Sequence, residues 1–190
     1  MIRSAFRYDV RITGRRPFIF TPFFTPMRTS IAALLLVALP LIGSAQGRMP
    51  SIVVQTLDGK KVNTSTWSND GKPIIVNFWA TWCAPCILEM PTLAKLAASG
   101  KDRDLVVLAV SIDRDKDADK ARAFIGKNAP LEFYRDPKSS LPFALKPPTA
   151  AMPTTLIYGR DGVERGRMLG EADWGGKDAA AVIDRLLDEK

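Results

Sequence analysis

Residues 74–86 read IIVNFWATWCAPC, an apolar run that leads directly into two cysteines. The first part, Ile74–Trp79, combines β-branched and aromatic side chains, which predicts a central strand buried on both faces. Residues 86–99 place their apolar side chains at helical spacing, so a helix is predicted there. Cys83 and Cys86 therefore lie where a buried strand ends and a helix begins.

Further strands and helices are predicted on either side of this unit. The strands fall at 51–55, 61–63, 105–112, 131–134, 154–158 and 163–169, and the helices at 113–127, 139–145 and 177–187. Gly100 is predicted to end the helix after the cysteines, and Pro91 to kink it. The charged run at 113–120 is interpreted as a solvated helix start without a function. This order predicts an α/β fold, a central mixed β-sheet flanked by helices, with an N-terminal β-hairpin and a central helical insert.

Residues 1–45 are interpreted as a leader, and residues 46–190 as one folded domain. The leader contains six arginines and one acid, so most of the net charge of +7 belongs to it and nucleic-acid binding is not expected. The apolar run at 31–42 is shorter than the ~20 residues of a membrane span. Small residues follow it up to Ala45, which predicts a signal peptide cleaved after that residue.

The leader leaves several alternatives open. Met27 begins a well-proportioned signal peptide by itself, so residues 1–26 are interpreted as an over-extended start. In a longer leader, Arg15-Arg16 resembles a twin-arginine signal. An uncleaved leader would instead tether the domain to the cytoplasmic membrane. The predicted location is the periplasm, with the N-terminal tether as the alternative.

The chain contains no histidine, which narrows what two cysteines can do. Cys-His nucleophile pairs and the commonest metal ligand are excluded, and two thiols cannot complete a zinc site, so no metal or cofactor is predicted. With 46% hydrophobic residues, the domain does not need a disulfide in order to fold. A redox-active dithiol is the remaining interpretation, with two inert buried thiols as the alternative.

The start of a helix suits a reactive thiolate. Unpaired backbone N–H groups and the helix dipole stabilise a nearby anion, and the thiolate is the reactive form of cysteine. Cys83 lies just ahead of the predicted helix and is predicted to be the nucleophile. Cys86 lies about one turn further along and is predicted to be the resolving thiol that attacks a mixed disulfide.

Residues 78–86 (FWATWCAPC), followed by Glu-Met-Pro at 89–91, resemble the TlpA-type family of thioredoxin-like thiol–disulfide reductases, which is related to the ResA- and CcmG-like reductases. Residues 152–155 (MPTT) are similar to the cis-proline loop of that family, and residues 170–174 (GEADW) to its tail. The resemblance covers roughly residues 51–188. It implies a thioredoxin-like fold, a Cys83–Cys86 disulfide and an exported or membrane-tethered enzyme. The implied partners are client proteins with cysteine pairs in cytochrome c or cytochrome oxidase maturation, and a membrane electron donor.

The resemblance also implies a client-binding surface. Pro153 would be the cis-proline packed against the disulfide, and the backbone of Met152 would pair with an extended client segment. Thr154 belongs to the same loop. Trp82 and Pro85 lie beside the cysteines, although aromatic residues there are equally well interpreted as packing.

Glu89 is the third candidate for the chemistry. Related reductases have an acid at this position, three residues after Cys86, where a partly desolvated carboxyl could have a raised pKa and shuttle the proton of that thiol. A surface glutamate on the first helical turns is the alternative. Ordinary thioredoxins have a buried aspartate where this chain has Asn77, so the general-base role moves either to Glu89 or to water.

The predicted function is an extracytoplasmic protein thiol–disulfide oxidoreductase that reduces its clients. An oxidant or isomerase of the same fold is the first alternative, and reduction potential would separate the two. A Cu(I)-handling metallochaperone is a second, disfavoured by the missing histidine and the two-thiol ligand set. A peroxiredoxin-like peroxidase is a third, disfavoured because the cysteines form a CxxC pair.

Overall fold

The computed structural model describes residues 47–68 and 70–188. The predicted leader lies outside the described residues. Within these two ranges, none of the helices combines the length and the hydrophobicity that crossing a membrane requires.

The strands of the described residues form one mixed sheet. They are β1 (Val53–Thr56), β2 (Lys61–Asn63), β3 (Ile74–Trp79), β4 (Val106–Ser111), β5 (Glu132–Arg135), β6 (Thr154–Tyr158) and β7 (Glu164–Leu169), in the spatial order β2-β1-β5-β4-β3-β6-β7. Strand β4 runs parallel to both β3 and β5, whereas the other neighbouring pairs are antiparallel. The predicted mixed sheet is confirmed, and its first two strands form the predicted N-terminal hairpin.

Four α-helices accompany the sheet in the described ranges: α1 (Ala84–Gly100), α2 (Ala118–Ile125), α3 (Ser140–Ala144) and α4 (Lys177–Asp188). Residues of α1, α2 and α4 share one hydrophobic cluster with Ile75 and Trp79 of β3. Residues of α3 share the second cluster with Ile74, Val76 and Phe78. Because side chains alternate along a strand, β3 contributes to both clusters, and all of its residues are buried as predicted.

Helix α1 ends at Gly100, as predicted, but Gly100 has a φ of −84° and is not a left-handed cap. The chain continues from α1 into a 3-10 turn at Lys101–Arg103 and changes direction at Asp104, whose φ is 61°. A Cβ on Gly100 would lie 2.7 Å from Cδ2 of Leu105. The glycine is therefore needed for close packing of Leu105 against the helix, rather than for a left-handed cap.

The interpretation of residues 113–120 as a solvated helix start is wrong at its first residue. Asp113 is completely buried, and the helical part begins only with a 3-10 turn at Asp115–Asp117 that leads into α2. Asp113 lies just beyond the end of β4, where it receives hydrogen bonds from neighbouring segments. Charge content alone did not reveal this, because burial of a carboxyl depends on donors supplied from elsewhere in the fold.

Candidate active site

The two cysteines lie at the junction of β3 and α1. After Trp79 the chain makes a tight turn, in which the Cys83 N–H donates to the carbonyl of Ala80 at 3.1 Å. Cys83 has an extended backbone and is the N-cap of α1, and its Sγ accepts a hydrogen bond from the Cys86 N–H at 3.3 Å. Pro85 occupies the first turn, where its missing N–H leaves no intrahelical bond unmade. The sulfur of Cys83 therefore faces the end of the helix that favours an anion.

Cys83 and Cys86 form a disulfide, with their Cα atoms 5.3 Å apart. The two residues differ in access, since Cys83 is 5% exposed and Cys86 is 0% exposed. Both residues are buried, and Cys83 is the more exposed of the two. This difference in exposure agrees with the predicted roles, because the nucleophile must meet the client and the resolving thiol needs to meet only the first cysteine.

The loop before β6 lies next to the cysteines. Phe78 of β3 is paired with Thr154 of β6, so Pro153 lies level with Trp79. This is the end of β3 that leads into the turn at residues 80–83, called the redox turn below. The Met152–Pro153 peptide bond is cis, and Pro153 is buried. Its carbonyl accepts the Gly170 N–H at 2.8 Å, which fixes the loop to the segment after β7.

Met152 is half-buried and packs against both hydrophobic clusters, including the one that contains the disulfide. Among residues 47–68 and 70–188, none donates to or accepts from its backbone N–H and carbonyl. Thr154 differs: it is buried, and its hydroxyl donates to the Ala151 carbonyl at 2.8 Å and lies 3.2 Å from Oγ1 of Thr149. Thr154 therefore shapes the loop, whereas the Met152 backbone is available for a partner.

The two tryptophans near the cysteines have different environments. Trp79 is fully buried, and its ring centroid lies 5.3 Å from that of Phe124. Trp82 is 65% exposed, and Leu88 on the outer side of α1 is also exposed. Packing therefore accounts for Trp79, while Trp82 and Leu88 leave apolar surface in contact with solvent beside the disulfide.

Glu89 is buried, which excludes the interpretation as a surface glutamate. Its Oε1 accepts a hydrogen bond from Nδ2 of Asn77 at 2.7 Å. Its Oε2 accepts from the Ala172 N–H at 3.1 Å and from Nε1 of Trp174 at 3.3 Å. The carboxyl group, one helical turn after Cys86, thus receives three hydrogen bonds from two separate parts of the chain, β3 and the segment after β7.

Burial raises the pKa of Glu89 to about 7, because the charged form loses its hydration. The hydrogen bonds from Ala172, Asn77 and Trp174 act in the opposite direction, and the nearby charge of Glu171 adds a small upward effect. A carboxyl group with this pKa exchanges its proton near neutral pH, as a general acid–base group should.

Asn77 explains how the strand accommodates this carboxyl group. Its Nδ2 donates both to Glu89 and, at 2.9 Å, to Oγ1 of Thr155 on the neighbouring strand. An aspartate at this position could not donate to Glu89, and two carboxylates in contact disfavour each other's ionisation. The amide and the glutamate therefore form one compatible pair.

Trp174 and Thr92 were not predicted as site residues. The backbone N–H of Trp174 donates to Oγ1 of Thr92 at 3.1 Å, and its indole N–H donates to Glu89. The segment after β7 is therefore fixed to two residues of α1. The sequence offered one signal, the GEADW tail at 170–174, but its indole could not be assigned to Glu89 without the fold. The contact joins residues 85 positions apart.

The comparisons with known proteins agree with this geometry. A family profile described as Redoxin matches residues 44–183. The chain belongs to the redoxin family. It is 37% identical over 84 residues to "Thioredoxin-like protein YneN" of Bacillus subtilis, covering 44% of this chain and 48% of that relative. It is 29% identical over 125 residues to "Thiol-disulfide oxidoreductase ResA" of Bacillus thuringiensis, covering 64% of this chain and 68% of that relative.

A solved structure shows the same fold. It is described as a putative thiol:disulfide interchange protein DsbE from Chlorobium tepidum, with a TM-score of 0.65 and 24% identity, covering 75% of this chain and 97% of that one. The chain spans about half the length of the YneN relative. The predicted thioredoxin-like fold and the predicted enzyme class, a protein thiol–disulfide oxidoreductase, are confirmed.

Proposed function

We propose that this protein reduces disulfides of client proteins outside the cytoplasm, with Cys83 as the nucleophile and Cys86 as the resolving thiol. The observation that supports this most directly is the difference between the two sulfurs. Cys83 is the N-cap of α1 and keeps some exposed surface, whereas Cys86 lies inside the helix and has none. A nucleophile must meet the client, and a resolving thiol needs to meet only the first cysteine.

In the proposed reaction, the Cys83 thiolate attacks one sulfur of a client disulfide and the other client sulfur leaves as a thiolate. The resulting mixed disulfide is then attacked by Cys86, which must first lose its proton. Glu89, one turn after Cys86 and with a pKa of about 7, accepts that proton. The client leaves with two reduced thiols, and Cys83 and Cys86 end as the disulfide seen in the structure.

The client is proposed to bind along the loop before β6. The backbone of Met152, which lacks hydrogen bonds to the described residues, would pair with an extended segment of the client. Trp82 is exposed beside Cys83 and would cover apolar side chains next to the client cysteine. Pro85, half-buried in the first turn of α1, would line the same surface.

The compartment and the partners follow from the leader and from the TlpA-type resemblance. Export through the signal peptide would place the domain in the periplasm, with a retained leader as a membrane tether. A membrane donor of the thiol-reductase type would return the disulfide to the dithiol. Cysteine pairs in cytochrome c or cytochrome oxidase maturation are the proposed clients, as the TlpA-type resemblance implies.

Trapping tests the assignment of the two cysteines. In cells that express the full chain, Cys86→Ser should accumulate mixed disulfides that are released by reductant, because the second attack cannot occur. Cys83→Ser should accumulate none, and accumulation in that variant alone would reverse the roles. The reduction potential tests the direction of the reaction. A value near thioredoxin, about −270 mV, supports a reductase, and a value near about −120 mV would show an oxidant instead.

A further inference from the structure

A buried carboxyl group lies beside the turn that presents Cys83, and the proposed chemistry does not use it. Asp113 is 0% exposed. Its Oδ1 and Oδ2 accept the backbone N–H of Thr81 at 3.1 and 3.0 Å, and Oδ1 also accepts the Thr81 hydroxyl at 2.8 Å. Oδ2 accepts the hydroxyl of Ser111 at 2.9 Å. Every contact is donated to the carboxyl group, which joins the end of β4 to the segment that leaves β3.

The hydrogen bonds between Asp113 and Thr81 restrain a residue in the middle of the redox turn. Thr81 lies between Ala80, whose carbonyl accepts the Cys83 N–H, and Cys83 itself. A buried carboxylate strongly favours keeping its donors, because burial without them is costly. The hydrogen bonds to Asp113 restrain Thr81, and in the disulfide form Sγ of Cys83 lies 3.3 Å from the Cys86 N–H at the start of α1.

We propose that Asp113 is a positioning residue for the redox pair. Through Thr81 it holds the turn at Ala80–Cys83, so that the Cys83 thiolate keeps its place at the N-terminus of α1 after the disulfide is reduced. The inference rests on the proposed role of Cys83 as the nucleophile. The positioning role is measured by alkylation of Cys83 without a client. It can therefore fail while client reduction is still observed, and client reduction can fail while the positioning role is confirmed.

The test is the pH dependence of iodoacetamide alkylation at Cys83 in the reduced full chain, with the site of modification confirmed by mass spectrometry. Thr81→Val removes the hydroxyl donor and leaves the carboxylate in place. We expect the thiol pKa to rise and the alkylation rate at pH 7 to fall about threefold or more, the size of effect expected for loss of a helix-terminus interaction. Thr81→Ser should restore the rate, since it restores the hydroxyl.

Thr66→Val is the matched control, because that exposed hydroxyl donates to the Asn63 carbonyl at 2.8 Å outside the site. Its alkylation rate should equal that of the wild type. Equal rates in Thr81→Val and the wild type, with Thr81→Val folded by circular dichroism, would overturn the proposal.

Asp113→Asn separates positioning from charge. The amide keeps one accepting oxygen and replaces the other by a nitrogen that cannot accept, so part of the contacts from Thr81 and Ser111 is lost. The turn is then held less firmly, and the alkylation rate should fall. Loss of a negative charge alone would do the opposite, because it would favour the thiolate. A faster rate in Asp113→Asn would therefore overturn the proposal. If that variant does not fold, the comparison of Thr81→Val with Thr81→Ser decides the question.

Discussion

Glu89→Gln should flatten the dependence of stability on pH. The pKa of Glu89 is about 7 in the folded protein, against an ordinary value of 4.5. Below pH 4.5 both states are protonated and the group costs nothing. As pH rises from 4.5 to 7, the unfolded state releases its proton and the folded state does not, so the free energy of unfolding falls. The fall amounts to about 3 kcal/mol and is complete above pH 7.

Chemical denaturation of the disulfide form at a series of pH values measures this effect. The disulfide prevents the cysteines from titrating, and the chain contains no histidine, so few other groups titrate in this window. The variant will lose stability at every pH, because Asn77, Ala172 and Trp174 all donate toward Glu89 and a glutamine amide cannot accept at both ends. The informative quantity is therefore the difference between the two curves as a function of pH.

The advantage of the wild type over Glu89→Gln should shrink by about 3 kcal/mol between pH 4.5 and 7 and should be constant above that range. Glu132→Gln is the matched control, since Glu132 is an exposed glutamate on β5. Parallel curves for the wild type and Glu89→Gln across the whole range would refute a raised pKa at Glu89. They would also remove this residue as the proton acceptor for Cys86.

Three further results are expected. Trp174→Phe removes an N–H that lowers the pKa of Glu89, so the pH midpoint of the disulfide-exchange rate should move upward; an unchanged midpoint would count against the coupling. Gly100→Ala should destabilise the protein by about 1–3 kcal/mol in urea denaturation, despite the better helix propensity of alanine, because the added Cβ meets Leu105. In a Leu105→Ala background, Gly100→Ala should cost less, because the side chain that the added Cβ meets is gone. Trp82→Ala should weaken client reduction through KM while changing the melting temperature little, because the side chain is mostly exposed; a large fall in melting temperature would contradict this.

The central part of the fold could be predicted because its signals are local. The run Ile74–Trp79 is apolar at almost every position, so its own sequence indicates a strand buried on both faces, and the cysteines follow it closely. The end of α1 at Gly100 was predicted from the glycine, but its start at Ala84 was not, because it depends on Cys83 acting as the N-cap. The reason for the glycine, its close contact with Leu105, is also not contained in the periodicity.

The environment of the carboxyl groups could not be predicted in the same way. Glu89 could be placed on the helix side that faces the cysteines, but its burial requires Trp174, which lies 85 residues away in the sequence. Asp113 begins a run of charges that looked solvated, and its donor Thr81 lies 32 residues earlier. In both cases the deciding partner comes from another loop at the same end of the sheet.

The roles proposed for these two carboxyl groups would explain why the redox pair needs a whole domain around it. The CxxC sequence and the helix N-terminus supply a reactive sulfur, but they do not hold its turn in place or receive the proton of Cys86. Asp113 is connected to the segment before the cysteines, and Glu89 to the segment after β7. Each group is buried by chain segments that the sheet brings together, so the chemistry of the pair depends on residues that no local motif includes. A variant that keeps the CxxC but loosens either loop should therefore keep its disulfide and exchange it more slowly.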